Sequence, residues 1–206
     1  MTGTLTIRSD PIAFFFMALR KILIYPDPYL RKKCAPVEEI DGDVLELLDD
    51  MAETMYKAPG VGLAAPQVGV ESRIIVVDIS PRKTEGDDDE EGDGRPEYDG
   101  PGLIELINPE IISSEGEIVG EEGCLSIPGF VSDVKRKYKI VLEGYNREGK
   151  LLEIEAEDLL ARVFQHEIDH LDGVLFIDRL TRLKRELLKR KIEKALGKEE
   201  KRYAVM

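Results

Sequence analysis

The sequence predicts an α+β fold: antiparallel strands packed around a central helix carrying a His-Glu-x-x-His motif, with a C-terminal helix. Three observations carry that prediction. Segments of strand character follow one another in hairpin order. Only two helical segments with an apolar face lie among them, and a third helix closes the chain. Strands in that order around two inner helices do not read as a doubly wound parallel sheet.

Taken in order, Asp27-Pro28-Tyr29-Leu30 marks a helix start, because proline suits the first helical position. Residues 43–57 carry Val44, Leu48, Met51 and Met55 at steps of four, three and four, the spacing of an amphipathic helix. It ends at Pro59-Gly60, and a Gly-rich loop follows. Arg73–Ser80 is rich in β-branched residues and reads as a buried strand. Leu103–Ile112 and Glu117–Val119 are two more expected strands. Lys137–Tyr145 and Leu151–Glu155 flank Asn146-Arg147-Glu148-Gly149, the pattern of a hairpin. A helix is expected from about Glu157 to Leu171, with Gly173 just past its end. The last helix starts near Thr181, and Leu180, Leu183, Leu187 and Ile192 are expected to form its apolar stripe.

The 206 residues suffice for one domain with its own core. The net charge of −13 is unevenly spread. Glu85–Asp99 carries −8 and almost nothing apolar, so it is expected as a solvated loop inserted between two strands. From Arg179 onward the chain carries +7. The acidic body repels nucleic acid and anionic membranes, whereas the basic tail escapes that exclusion. Two cysteines exclude a disulfide-rich scaffold. Residues 1–16 end in the apolar run Ile12–Phe16, which is too short to span a bilayer. They lack the features of a secretory signal and read as an extension outside the fold. No other segment reads as membrane-spanning, so a cytoplasmic location is expected.

Histidine occurs twice in the chain, and both copies fall in His166-Glu167-Ile168-Asp169-His170. Positions i and i+4 share a helix face, so both imidazoles can bind one ion. Glu167 is turned about 100° from His166 and can reach water at that ion without ligating it. This is the arrangement of metal-assisted hydrolysis, in which the metal acidifies water and the carboxylate moves the proton. A catalytic site needs a third protein ligand and an open position. Phe176 stands where a metzincin would place a third histidine, which excludes that pattern. The remaining donors are the carboxylates of Asp178 and Glu186, at the start of the basic tail, and a cysteine thiolate. Cys124 lies in Glu122-Gly123-Cys124-Leu125-Ser126, where Gly123 lets backbone approach closely. Cys34 reads as a small packed residue. In Gly60-Val61-Gly62-Leu63-Ala64-Ala65-Pro66-Gln67, small residues leave room for a substrate backbone and Gln67 offers an amide donor. The segment follows a helix and lacks a third glycine, so it is not a dinucleotide fingerprint.

GVGLAAPQ, EGCLS and QHEIDH, in this order and at these separations, closely resemble the peptide deformylases of bacterial type. The resemblance runs from Met17 through the His helix into the tail. It implies metal-dependent removal of the formyl group from the formyl-methionine of newly synthesised polypeptides, with release of formate. By position, it implies Cys124, His166 and His170 as metal ligands and Glu167 as general acid and base. Gln67 and the backbone N–H of Leu125 would hold the formyl oxygen. Val61, Gly62 and Gly123 would bind the nascent peptide, an edge-strand mode needing few side chains. Glu122 would orient a ligating histidine or serve a purely structural role, and Val163 and Phe164, one helical turn before the histidines, would line an apolar pocket for methionine or belong to the plain core. The resemblance further implies one divalent metal ion, Fe2+ first, with Zn2+, Ni2+ or Co2+ as substitutes, and ribosome docking through the basic C-terminal helix. It divides the chain into a 1–16 extension, a 17–180 catalytic domain with the 85–99 insertion, and a 181–206 helix and tail. Two other readings share the His motif: a different His-Glu-x-x-His hydrolase (a protease or another deacylase), and a non-catalytic, metal-stabilised binding module.

Overall fold

The apolar run beginning at Arg73 forms strand β2 (Ile74–Val77), all four residues of which are buried. Alternate side chains leave a strand on opposite faces, and here both faces are covered. Ile75 and Val77 pack into one cluster with Leu106, Leu142, Phe164 and Leu171. Ile74 and Val76 pack into another with Leu48, Met51, Met55 and Leu63. The second cluster is built on helix α1 (Gly42–Lys57), whose N-terminus is capped by the Asp41 carboxylate accepting from Val44 N–H at 3.0 Å. The first is built on helix α2 (Asp158–Leu171). The computed structural model describes residues 18–80 and 102–203, with side chains through residue 195. The expected 1–16 extension and the 85–99 insertion lie outside the described residues.

Strands β1 (Gly62–Ala64), β3 (Ile104–Glu115), β6 (Lys139–Tyr145) and β7 (Leu151–Glu157) join β2 in one sheet, in the order β1-β2-β3-β6-β7. Every neighbouring pair is antiparallel. Strands β4 (Ile118–Glu122) and β5 (Ser132–Arg136) form a separate two-stranded ribbon. The expected hairpin is present, with the Asn146 carboxamide accepting from the N–H groups of Glu148 and Lys150. Strand β3 breaks register with β6 twice. At the first break Asn108 takes a left-handed φ of 54°, and its side chain both donates to and accepts from the Val37 backbone at 2.8 Å.

Three expectations need correction, and one strand is found that was not expected. The Gly-rich segment is not a loop throughout: Gly62–Ala64 pairs with Ile75–Val77 as the sheet's edge strand, and residues 65–68 follow as a 3₁₀ turn. Asp27 does cap a helical start with Pro28 first, but that helix is a single 3₁₀ turn, Pro28–Arg31. Strand β5 is not apparent from sequence because Val134 is its one buried apolar residue. On helix α3 (Arg182–Tyr203), Leu188 and Ile192 dock with Leu180 into a third cluster around Phe176. Leu183 and Leu187 instead stay 71% and 51% exposed. The step from 187 to 192 is five residues, about 140° off a shared face, whereas 188 to 192 keeps the four-residue spacing.

Gly173 ends α2 in a left-handed conformation, φ 71°. A Cβ there would also run into the Arg31 and Lys32 backbone, so glycine is required twice over. This contact seats the 3₁₀ turn of residues 28–31 against the end of the His helix.

Candidate metal centre

Helix α2 presents Leu159, Val163, His166 and Glu167 to a cleft of about 440 Å³. Its other walls are the Pro59–Gly62 segment leading into β1 and the end of β4 with the residues after it, Glu121–Leu125. The i, i+4 spacing brings the imidazoles of His166 and His170 to a centroid separation of 5.0 Å. Across from them, the turn after β4 delivers Cys124, whose Sγ lies 3.3 Å from His170 Nε2. One donor atom from each of Cys124, His166 and His170 falls within 4.8 Å of the other two. A tetrahedral ion with ligand bonds of about 2.0–2.3 Å sets its ligands roughly 3.3–3.7 Å apart, so these donors could hold one ion with little adjustment. Both cysteines are free thiols.

The protonation chemistry fits a cation there. Burial holds His170 well below the ordinary imidazole range, so it is the neutral, ligating form. Burial also works against charge on His166, but hydrogen bonds with Cys124 and Glu122 outweigh it and raise its pKa. The anionic neighbours thus hold a proton at the place where a metal ion would neutralise them.

Glu167 stands beside the cluster, and burial pushes its carboxyl up to about 7. Its Oε2 has no hydrogen-bond partner among the described residues. Gly62 makes room for it, since a Cβ at that position would overlap the Glu167 carboxylate. Gln67 is clamped by its carbonyl, which accepts from Ala64 N–H at 2.9 Å. Its amide nitrogen is thereby aimed at Ser126 Oγ, 3.1 Å away, and at Cys124 Sγ, 3.5 Å away. Leu125, Val61, Gly62 and Gly123 all line the cleft.

Behind His166 runs a buried ionic chain. Glu122 Oε2 lies 2.9 Å from His166 Nδ1. The same carboxylate takes two bonds from Arg136, at 2.8 and 2.9 Å. Arg136 donates onward to Asp169 at 2.5 Å, and Asp169 also accepts from Arg179. Burial alone would raise the Glu122 carboxyl, but the bonds from Arg136 and His166 outweigh it and hold it down at about 2. Glu122 therefore has the position expected of it. The roles of Arg136 and Asp169 are not legible beforehand: Arg136 sits on the unrecognised strand, and Asp169 is one of the motif's variable positions.

The other candidates separate cleanly. Asp178 pairs with Arg31 and accepts from Leu175 N–H, and Glu186 is exposed on α3, so neither carboxylate joins the cluster. Cys34 is buried, and burial pushes its thiol up to about 11, as befits a packed residue. Val163 lines the cleft, whereas Phe164 is fully buried in the α2 core.

The ionic chain predicts a large stability effect. Arg136→Met leaves Glu122 and Asp169 buried without their shared cation and should cost about 3–5 kcal/mol. Urea unfolding checks this, and a loss below about 1 kcal/mol would contradict it.

Comparison with known proteins agrees with this geometry. The family model for polypeptide deformylase matches residues 19–186. The peptide deformylase of Thermodesulfovibrio yellowstonii is 53% identical over 177 residues, covering 86% of this chain and 98% of the relative. That of Syntrophobacter fumaroxidans is 52% identical over 180 residues, covering 87% and 97%. Among solved structures, the Legionella pneumophila peptide deformylase superposes with a TM-score of 0.74 at 45% identity, covering 89% of this chain and 98% of that one. The Thermus thermophilus enzyme gives 0.74 at 40% identity, covering 90% and 99%. Motifs, fold and sequence likeness converge on one assignment: the chain belongs to the polypeptide deformylase family.

Proposed function

We propose that the chain removes the N-terminal formyl group from the formyl-methionine of newly synthesised polypeptides, releasing formate. The observation that carries the reading is a Cys124, His166 and His170 donor set opening on a cleft where Glu167 and the Gln67 amide also converge. Among the described residues the cluster offers three donors, which suits the open position a hydrolytic site needs; a purely structural site would want four.

Cys124, His166 and His170 would hold a divalent ion, which would supply Lewis acidity to acidify water and polarise a carbonyl. Glu167 takes the proton as water attacks the formyl carbon. The Gln67 amide and the Leu125 backbone N–H donate to the formyl oxygen as it gains negative charge, a contribution typically worth about 10²–10³ in rate per donor. Glu167 then delivers its proton to the methionine nitrogen as the C–N bond breaks and formate leaves. A carboxyl with a pKa of about 7 suits both transfers near neutral pH. Glu122 holds His166 in orientation through Nδ1. The peptide lies extended along Val61 and Gly62, next to Gly123; β1 being the edge strand of its sheet supports this, because its outer side has no partner strand among the described residues.

Fe2+ is the ion we assign to the site, with Zn2+, Ni2+ and Co2+ compatible with the same donors. No helix among the described residues is long and apolar enough to cross a membrane, and the reading places the enzyme in the cytoplasm, where its substrate is made. Helix α3 carries Arg182, Lys184, Arg190 and Lys191 exposed, which supports docking to ribosomal RNA near emerging chains.

Two experiments test this reading. Formate should be released from a formyl-methionyl peptide, and Glu167→Gln should keep one metal per chain while losing at least about 10²-fold in turnover. Normal turnover in that variant would overturn the mechanism. For docking, reversing Arg182, Lys184 and Arg190 to Glu should abolish co-sedimentation with ribosomes at low salt. Unchanged co-sedimentation would show that α3 is not the docking element.

A further inference from the structure

Arg162 and Glu121 are the charged cleft residues that the proposed chemistry leaves without a role, and Arg162 is the cation. It sits on the cleft face of α2 one turn before His166, and it is the only Lys or Arg lining the cleft among the described residues. Its guanidinium is seated rather than loose. It lies flat over Gly120 of β4, where any Cβ would collide with Nη1, Cζ and Nη2. Nη2 donates to the Glu121 carbonyl, while Nε is buried with no hydrogen-bond partner. No carboxylate pairs with it among the described residues, in contrast to Arg136 and Arg179, which are both engaged by Asp169.

A seated, unpaired cation in the wall of a peptide cleft selects for an anion. The register of the peptide says which one. Side chains of an extended chain alternate in direction, so the first and third residues face the same way, about 6.6 Å apart, and the second faces away. Val163 and Leu159, apolar and on the same helix face, suit the first side chain, methionine. Arg162 starts from the same stretch of helix as Val163 and Leu159, but its long side chain carries the charge away from that apolar pair and outward to Gly120 and Glu121 of β4. We infer that Arg162 is a specificity-determining residue that receives an acidic side chain at the third position of the nascent chain. The inference rests on the proposed deformylation and its extended peptide.

The test compares kcat/KM for formate release from formyl-Met-Ala-Glu-amide and formyl-Met-Ala-Lys-amide, and from formyl-Met-Glu-Ala-amide and formyl-Met-Lys-Ala-amide. A preference for Glu over Lys of about fivefold is expected at the third position, carried mainly by KM. At the second position the two should agree within about twofold. Arg162→Met should bring the third-position ratio to about one, and Arg162→Lys should retain most of it. In the unaltered chain, the ratio should shrink toward one at about 1 M salt, where the Debye length falls to roughly 3 Å. Equal rates for Glu and Lys, a ratio that survives Arg162→Met, or one indifferent to salt would each overturn the inference. Should Arg162→Met fail to fold, the salt series decides alone. If no peptide yields formate, it is the proposed reaction that fails, an outcome distinct from equal rates on Glu and Lys peptides.

Discussion

Everything in this structure answers to one constraint: α2 is buried while carrying Gln165, His166, Glu167, Asp169 and His170. A polar group taken out of water without a partner costs roughly 1–3 kcal/mol, and a charge more. The fold meets that demand group by group. Gln165 trades hydrogen bonds with the Lys137 backbone. Asp169 is claimed by two arginines, and His166 by Glu122. The β4–β5 ribbon exists on this view to bring Glu122, Cys124 and Arg136 to the helix, and its own small apolar content would not otherwise justify it. Among the described residues, the α2 atoms left without a partner are Arg162 Nε, Glu167 Oε2 and His170 Nδ1, and they lie on the stretch of helix that carries the Cys124, His166 and His170 cluster.

Rigid support and reactive chemistry are therefore separated along the same helix. One face packs Ala161, Phe164, Ile168 and Leu171 into the sheet and holds the backbone still. Another face opens to the cleft through glycines whose missing side chains are filled by the helix's own groups. Gly62 yields space to Glu167, and Gly120 yields space to Arg162. Short, apolar and glycine-rich stretches that look featureless as text are the negative image of long polar side chains elsewhere.

How much was legible in the sequence follows from how local each signal is. The α1 periodicity, the β-branched run of β2, the Asn146–Gly149 turn and the i, i+4 histidines are all set by neighbours within a few residues, and all stand as read. The cluster of Cys124, His166 and His170, with Gln67 beside it, is also where the motifs placed it. What escaped depends on distant partners. Strand β5 is held by pairing with β4 and by the Arg136 ion pairs, not by its own pattern. The docking face of α3 is chosen by the pocket around Phe176, which selects Leu188 over the equally apolar Leu187. For Val163 and Phe164 the sequence leaves cleft lining and core both open, and position on the helix turns Phe164 into the core.

The central claim is that one thiolate and two imidazoles hold a single catalytic ion. X-ray absorption at the metal edge, on protein prepared without oxygen, measures this most directly. The account predicts one metal per chain with one sulfur at about 2.3 Å and two imidazole nitrogens at about 2.0–2.1 Å in its inner shell. An inner shell without sulfur, or with two, would contradict it.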